Sequence, residues 1–277
     1  MTAVSDSLRD FSGVLVLVGA GKMGSALLEG WIRLGLDPQN IAVIEPAIPP
    51  HIAALTQRGL QLNPTPRALK NVTAIVLAVK PQVAPQAIPP LAPLVSPSTV
   101  VVSIMAGRTL KFLSDALAKP CAIVRAMPNT PAAIGRGITV AVPLHANEAQ
   151  RALADRLLSA TGAVEWTADE ALMDAVTAVS GSGPAYVFLL AEALTEAGVA
   201  AGLPHELAVK LARETIAGSG ELLHRSPLEA AVLRENVTSP AGTTAAALAV
   251  LMGQDGLASL MEKAVAAATK RSRELAG

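Results

Sequence analysis

The stretch "GVLVLVGAGKMG", residues 13–24, constrains the fold more than any other part of the chain. A valine- and leucine-rich run stops at Gly19. Gly19, Gly21 and Gly24 then come in G-x-G-x-x-G spacing, and "MGSALLEGWIRLG" continues at helix length. In a strand–turn–helix unit of this kind the first glycine makes the turn. The second lets a pyrophosphate approach the backbone, and the third lets helix and strand pack closely. The helix N-terminus adds partial positive charge toward the anion. The spacing alone is weak evidence, because glycines make turns everywhere. The strand before it and the helix after it make it a dinucleotide-binding loop.

The pattern continues along the first 167 residues. "IAVIEP" (41–46), "TAIVLAV" (73–79), "TVVVSIM" (99–105) and "CAIVRAM" (121–127) are short β-branched runs bounded by Gly, Pro or polar residues. Such continuous apolar strands suit a parallel sheet buried on both faces. With helix-length stretches such as "RTLKFLSDALA" between them, they predict βαβ units and a doubly wound α/β sheet. "GITVAVP" (137–143) and "GAVEWTA" (162–168) add two strands around a helix near residues 148–160. After about Asp169 valine-rich runs give way to Ala, Leu, Glu and Gly. Ser182-Gly183-Pro184, Leu203-Pro204 and Ser226-Pro227 punctuate several helices. The expected organisation is a Rossmann-type dinucleotide-binding domain over residues 1–168 and an all-helical domain over 169–277. Helices with so few charges need more cover than one small domain offers, so the second half is expected to bury them in a dimer.

Composition excludes several classes. The 22 Lys+Arg balance the 22 Asp+Glu, so no basic surplus points to nucleic acid or an anionic membrane. Hydrophobic residues reach 51% with only 2% aromatic, which makes the core one of Ala, Val, Leu and Ile. The apolar stretch from Pro184 to Pro204 carries Glu192 and Glu196, and no uncharged run approaches the ~20 residues of a membrane span. The single cysteine, Cys121, sits in an apolar run and reads as an inert buried thiol in a reducing compartment. "MTAVSDSLRDFSG" lacks the apolar segment of a secretory signal. A cytoplasmic protein is expected.

Glu45, at the end of the second strand and 21 residues past Gly24 (45 − 24), is placed to accept hydrogen bonds from an adenosine ribose 2′-OH. The "PAIPP" after it supplies no cation for a 2′-phosphate, so the sequence leans toward NADH over NADPH. Metal chemistry has no support. His51, His145, His205 and His224 are unpaired at ligand spacing, and "HELAV" has Val209 where a zinc helix needs its second histidine.

Six segments together resemble the pyrroline-5-carboxylate reductase family, in the family's order across nearly the whole chain. They are "GAGKMG" (19–24), "AVKPQ" (78–82), "SIMAG" (103–107), "RAMPNTP" (125–131), "AVSGSGPAYVF" (178–188) and "NVTSPAGTT" (236–244). The resemblance implies a Rossmann domain, a helical domain that interlocks in a homodimer often assembled further, and NAD(P)H-dependent reduction of the cyclic imine 1-pyrroline-5-carboxylate to L-proline. It implies that Gly19, Ala20, Gly21, Lys22, Met23 and Gly24 hold the pyrophosphate. Ala78, Val79, Lys80 and Pro81 would close over the ribose and nicotinamide side, with Ala106 and Gly107 near the nicotinamide and Pro128 and Asn129 opposite. Two positions depart from the family: Ala241 stands where Gly is usual, and Glu45 where many relatives carry a hydroxyl or a base.

A small imine acid needs its carboxylate held and its ring oriented. The turn "VTSPAGTT" (237–244), at a helix start, offers free N–H groups and hydroxyls and carries no charge. Ser239, Gly242, Thr243 and Thr244 are the candidate substrate contacts, and the resemblance implies that Thr244 hydrogen-bonds the ring nitrogen as the catalytic group. A plain Ser/Thr helix cap is the simpler reading of the same residues. Ser180, Ser182 and Tyr186 read as close helix packing. Two rival functions stand beside the main one. A β-hydroxyacid dehydrogenase shares the two-part layout, but that group relies on a lysine early in the second domain's long helix, and residues 181–209 contain none. A nucleotide-binding regulatory protein without turnover is the other.

Overall fold

Most strands fall where the sequence has apolar runs of the right length. In the computed structural model, which describes residues 7–276, eight strands form one sheet in the order β3-β2-β1-β4-β5-β6-β7-β8. They are β1 Val14–Val18, β2 Ile41–Ile44, β3 Gln61–Leu62, β4 Val72–Leu77, β5 Val100–Ser103, β6 Ala122–Met127, β7 Gly137–Leu144 and β8 Gly162–Trp166. β1 has β2 on one side and β4 on the other, both parallel to it. The chain therefore reverses its winding direction at β1, and the crevice at the carboxyl ends of β1 and β4 is where ligands bind in open sheets of this type. The expectation for the first six residues lies outside the described part of the chain.

The β1 strand shows why these runs are continuously apolar. Leu15 and Leu17 join one buried cluster with Leu27, Leu28 and Trp31 of helix α1 (Lys22–Arg33) and Leu157 and Leu158 of helix α3 (Glu148–Ser159). Val16 and Val18 join the other, with Ile88, Leu91 and residues Leu113 and Leu117 of helix α2 (Leu110–Leu117). Alternate side chains thus enter opposite layers, and a polar residue on either face would be buried. Trp31 is fully buried, and its Nε1 donates to the Leu157 carbonyl at 2.8 Å. Cys121 is a buried free thiol, and burial pushes its pKa up.

One detail, at Ser182, differs from the sequence expectation, and two others, in β7 and β3, were not given by it. β7 runs antiparallel to β6, because residues 128–136 hold only a 3-10 turn, Thr130–Ile134, and a parallel return needs a longer crossover. β3 has no counterpart in the apolar pattern, since its two residues pair only with β2 at the sheet edge. Ser182 does not cap a helix. Its backbone is helical, φ −86° and ψ −24°, and its side chain makes no cap bond. The chain arrives there already wound, through a helical turn at Met173–Val176 and a π-turn at Thr177–Gly181.

The chain divides into two compact units. One runs up to Gly181 and takes in the chain again from Thr269; the other is Ser182–Ala268. The second unit is helical: α4 Gly183–Ala200, α5 His205–Arg225, α6 Ala230–Asn236, α7 Thr243–Leu251, and α8 Leu257–Ala276 as far as Ala268. α4 and α5 form a hairpin turned by Gly202 at φ +101°, with Leu203 N–H donating to the Gly198 carbonyl at 3.1 Å. α4 buries no residue, and Val187, Phe188, Leu189 and Leu190 are all exposed. A helix so apolar and so open is left largely uncovered by α5, its hairpin partner in the single copy. No helix among the described residues is long and apolar enough to cross a membrane.

Candidate functional site

Strand register brings the first set of candidate residues together. Val18 pairs with Ile44 on one side and Leu77 on the other, Leu77 with Ser103, and Ser103 with Arg125. These five residues form one row across the carboxyl ends of β2, β1, β4, β5 and β6. The loops that leave these strands therefore start along one edge: Gly19 after Val18, Glu45 after Ile44, and Ala78 after Leu77. The Ala106–Gly107 and Pro128–Asn129 turns come next along the same edge.

Each glycine of the loop has a different physical reason to be one. Gly19 has φ +94°, and a Cβ there would lie 2.7 Å from the Ala78 carbonyl carbon and 2.8 Å from the Val79 nitrogen. A Cβ on Gly24 would overlap the Gly19 carbonyl oxygen. These two positions are closed by backbone. Gly21 is the opposite case, since a Cβ there would meet nothing within 4 Å. It is the N-cap of α1, in extended conformation and with no side chain capping the helix. The first N–H groups of α1 thus face open space beside exposed Lys22 and half-buried Met23. That combination favours an anion. A cavity of about 330 Å³ opens at this point, lined in part by Ala20, Gly21, Lys22, Ser25 and His51.

Glu45 is tied to the same loop. Its Oε2 accepts from the Ala20 N–H at 2.8 Å and its Oε1 from the Ala47 N–H at 2.9 Å. Asn63 holds the Glu45 main chain from the other side: its Oδ1 accepts from the Glu45 N–H at 2.8 Å and its Nδ2 donates to the Glu45 carbonyl at 2.9 Å. Asn63 adopts φ +45°, a region asparagine tolerates better than most residues. Nothing in the local sequence marks Asn63, because it is brought to Glu45 by the short edge strand β3.

Around the rest of the row, the Ala78 N–H donates to the Val18 carbonyl at 2.7 Å. Lys80 is exposed and Pro81 opens a 3-10 turn, Pro81–Val83. Gly107 turns the chain at φ +70°. Pro128 is buried, and the Asn129 Oδ1 accepts from the Ile138 N–H at 3.0 Å, which ties the end of β6 to the start of β7. Two features here escape sequence reasoning. Arg108 donates to the Pro81 carbonyl through Nε and Nη2, at 3.0 and 2.7 Å. Buried Arg125 pairs with Glu170 at 2.7 Å, and the same Glu170 oxygen accepts the Leu110 N–H at 2.8 Å. Both join segments far apart in sequence. Among the described residues no cluster of His, Cys, Asp and Glu could hold a metal ion.

In the helical unit, the turn Ser239–Thr244 leads into α7. Gly242 is its N-cap, and no side chain caps the helix. Four candidate residues therefore surround open N–H groups: Ser239 and Thr243 are exposed, while Gly242 and Thr244 are half-buried. The Gly242 N–H donates to the Ser239 carbonyl at 3.1 Å, and a Cβ on Gly242 would overlap the Ser239 hydroxyl. The Ser239 hydroxyl can rotate away, so the firmer limit on a side chain at Gly242 is the Ser239 carbonyl oxygen, 3.1 Å from where its Cβ would stand. Ala241 has φ +57°, the left-handed region that glycine enters without strain. The glycine that the family resemblance leads one to expect here would take this backbone without strain. In the other unit, the Ser180 hydroxyl is buried in the π-turn with no hydrogen-bond partner.

Comparison with known proteins matches both halves. Residues 14–107 match the family described as NADP oxidoreductase, coenzyme F420-dependent, and residues 170–275 match pyrroline-5-carboxylate reductase dimerisation. The chain is 39% identical over 267 residues to the pyrroline-5-carboxylate reductase of Pseudomonas aeruginosa, covering 95% of this chain and 96% of that one. The solved pyrroline-5-carboxylate reductase of Coxiella burnetii superposes with a TM-score of 0.88 at 33% identity, over 96% of this chain and 99% of the other. The Plasmodium falciparum pyrroline carboxylate reductase, solved with NADP bound, gives 0.80 at 30% identity over 96% and 99%.

The strain at Ala241 is testable. A left-handed L-residue costs roughly 1–2 kcal/mol, and glycine gives back part of that gain through its larger unfolded-state entropy. Ala241→Gly should therefore raise stability by about 0.5–1 kcal/mol in urea denaturation. A lower stability in the variant would contradict the left-handed turn.

Proposed function

The chain belongs to the pyrroline-5-carboxylate reductase family, and on that premise we propose that it reduces 1-pyrroline-5-carboxylate to L-proline with NADH or NADPH. The observation that most supports this substrate is the turn Ser239–Thr244, uncharged, hydroxyl-bearing and leading into a helix that no side chain caps. The donor set also fits a dinucleotide: Gly21 has no atom within 4 Å of where a Cβ would stand, and the N-terminus of α1 is uncapped.

Bound dinucleotide supplies the hydride, and the chain supplies position and electrostatics. Gly19 to Gly24 seat the pyrophosphate, and Ala78, Val79, Lys80, Pro81, Ala106, Gly107, Pro128 and Asn129 bound the nicotinamide side. The backbone around Gly242, with Ser239 and Thr243, holds the substrate carboxylate. The imine enters protonated, so hydride addition to its carbon leaves a neutral amine whose nitrogen has gained a lone pair. The Thr244 hydroxyl donates to that nitrogen, and its bond strengthens as the reaction proceeds. No strong acid is required, in keeping with a turn that has none.

Glu45 makes NADH the better donor in this reading. Its carboxylate, held by the Ala20 N–H at 2.8 Å, accepts from ribose hydroxyls and repels a 2′-phosphate. In this reading the dinucleotide role falls to residues 1–168 and the substrate and dimer role to 169–277, of which Ser182–Ala268 is the compact helical unit and residues 169–181 pack with the first unit. The exposed Val187, Phe188 and Leu189 of α4 are covered by a second copy in a homodimer. The setting is the cytoplasm.

Two variants test these roles. Thr244→Ala should lower kcat and kcat/KM for the imine together, by about tenfold to a hundredfold for one buried polar contact. Its Kd for dinucleotide should stay within about twofold. An unchanged kcat/KM would make the turn a plain helix start. Glu45→Ser should shift the NADPH/NADH ratio of kcat/KM upward, although both values fall because the Ala20 N–H loses its acceptor. A wild type that prefers NADPH by about tenfold, or 1.4 kcal/mol, would contradict the role given to Glu45.

A further inference from the structure

Arg108 is not among the residues that bound the dinucleotide or the imine, yet it makes a two-pronged contact at the centre of the row. Gly107, at φ +70°, turns the chain so that Arg108 reaches back to the loop after β4. Its Nε and Nη2 converge on one acceptor, the Pro81 carbonyl, at 3.0 and 2.7 Å. The same guanidinium lies 4.6 Å from the centroid of the Phe112 ring. Phe112 is fixed in turn, because its N–H donates to the capping hydroxyl of Thr109 at 3.1 Å. A half-buried arginine stacked on one side and forked on another gives up much of its hydration and its rotamer freedom. A lysine in its place could keep the charge but not the planar fork.

The loop it grips is tied to β1 at its start, where the Ala78 N–H donates to the Val18 carbonyl at 2.7 Å, and within its turn by the Val83 N–H on the Lys80 carbonyl at 2.9 Å; Arg108 is the side chain that holds it at Pro81. Pro81 has no N–H, and its carbonyl otherwise closes only the 3-10 turn, with Ala84. The loop is also where small shifts are felt, because the backbone of Ala78 and Val79 packs directly on Gly19. Arg108 therefore reaches the glycine loop through Pro81, Val79 and Ala78, without touching it.

We propose that Arg108 is a positioning residue for the dinucleotide: its fork on the Pro81 carbonyl holds the Ala78–Pro81 loop against the Gly19 turn and so sets the shape of the cofactor cleft. The inference rests on the assignment of these two loops to dinucleotide binding, and it does not depend on the identity of the reduced substrate.

The test uses the full-length protein and three variants: Arg108→Met, which keeps a stem on Phe112; Arg108→Lys, which keeps the charge; and Phe112→Leu, which removes the shelf. Dinucleotide Kd is measured directly by NADH and NADPH fluorescence, beside thermal midpoints and steady-state kinetics. Arg108→Met and Arg108→Lys should both raise Kd by about tenfold, the scale of losing a charge-assisted bond. Phe112→Leu should shift it less and in the same direction. The imine KM at saturating dinucleotide should not move. A Kd within about twofold of wild type in both Arg108 variants would overturn the proposal, whatever the midpoints do. So would a wild-type Kd in Arg108→Lys alone, because charge rather than the fork would then suffice. If the wild type binds dinucleotide but does not reduce pyrroline-5-carboxylate, the substrate assignment fails and the Arg108 result still stands.

Discussion

Backbone contact at Gly19 is the constraint on which the rest of the cofactor half depends. The end of β1, the start of α1 and the loop after β4 all meet there, at distances no side chain would permit. Because a Cβ at Gly19 or Gly24 would enter backbone atoms just past the ends of β1 and β4, relaxing this contact would pull on two packed strands. The row from Ile44 to Arg125 sets where each outgoing loop begins. Glu45 and Arg108 then tie two of those loops down with hydrogen bonds of 2.7–3.0 Å. Held this way, the edge is organised before any ligand arrives, which lowers the ordering cost of binding.

The sequence was most informative where local pattern and tertiary need coincide. The runs that became β1, β2, β4, β5 and β6 were legible because strands buried on both faces must be apolar throughout. The glycine loop was legible because its spacing encodes two backbone contacts, at Gly19 and Gly24, with an open position at Gly21 between them. β3 was not, since two residues at an edge carry no periodicity. The direction of β7 was set by the shortness of residues 128–136, a length constraint that the apolar pattern alone does not express. Asn63, Arg108 and Glu170 were invisible for one shared reason. Each acts on a residue that only the fold brings near, and none has a neighbour in sequence that announces it. Glu45 was found by spacing, but its bond to the Ala20 N–H was not. Ala241 was noticed as a departure, while the left-handed backbone that strains an alanine there needed the structure.

The helical unit is governed by a different logic. Its turn at Ser239–Thr244 gathers open N–H groups without a single charge, which suits a small anion that must be released again after reaction. Other helices of the unit leave large apolar side chains uncovered in one copy, Phe188 of α4 among them at 63% exposure. The match of residues 170–275 to a dimerisation family agrees with that uncovered surface. Low charge in α4 thus fits assembly.

The central claim is that this chain transfers a hydride to a cyclic imine. The most direct measurement tracks dinucleotide oxidation by the purified protein with pyrroline-5-carboxylate, with 3-hydroxy acids and NAD(P)⁺ run separately in the opposite direction. The predicted result is imine-dependent consumption of NADH or NADPH, with L-proline formed in equal amount and no reaction with 3-hydroxy acids. Reduction of NAD(P)⁺ by a 3-hydroxy acid, with no turnover of the imine, would contradict it.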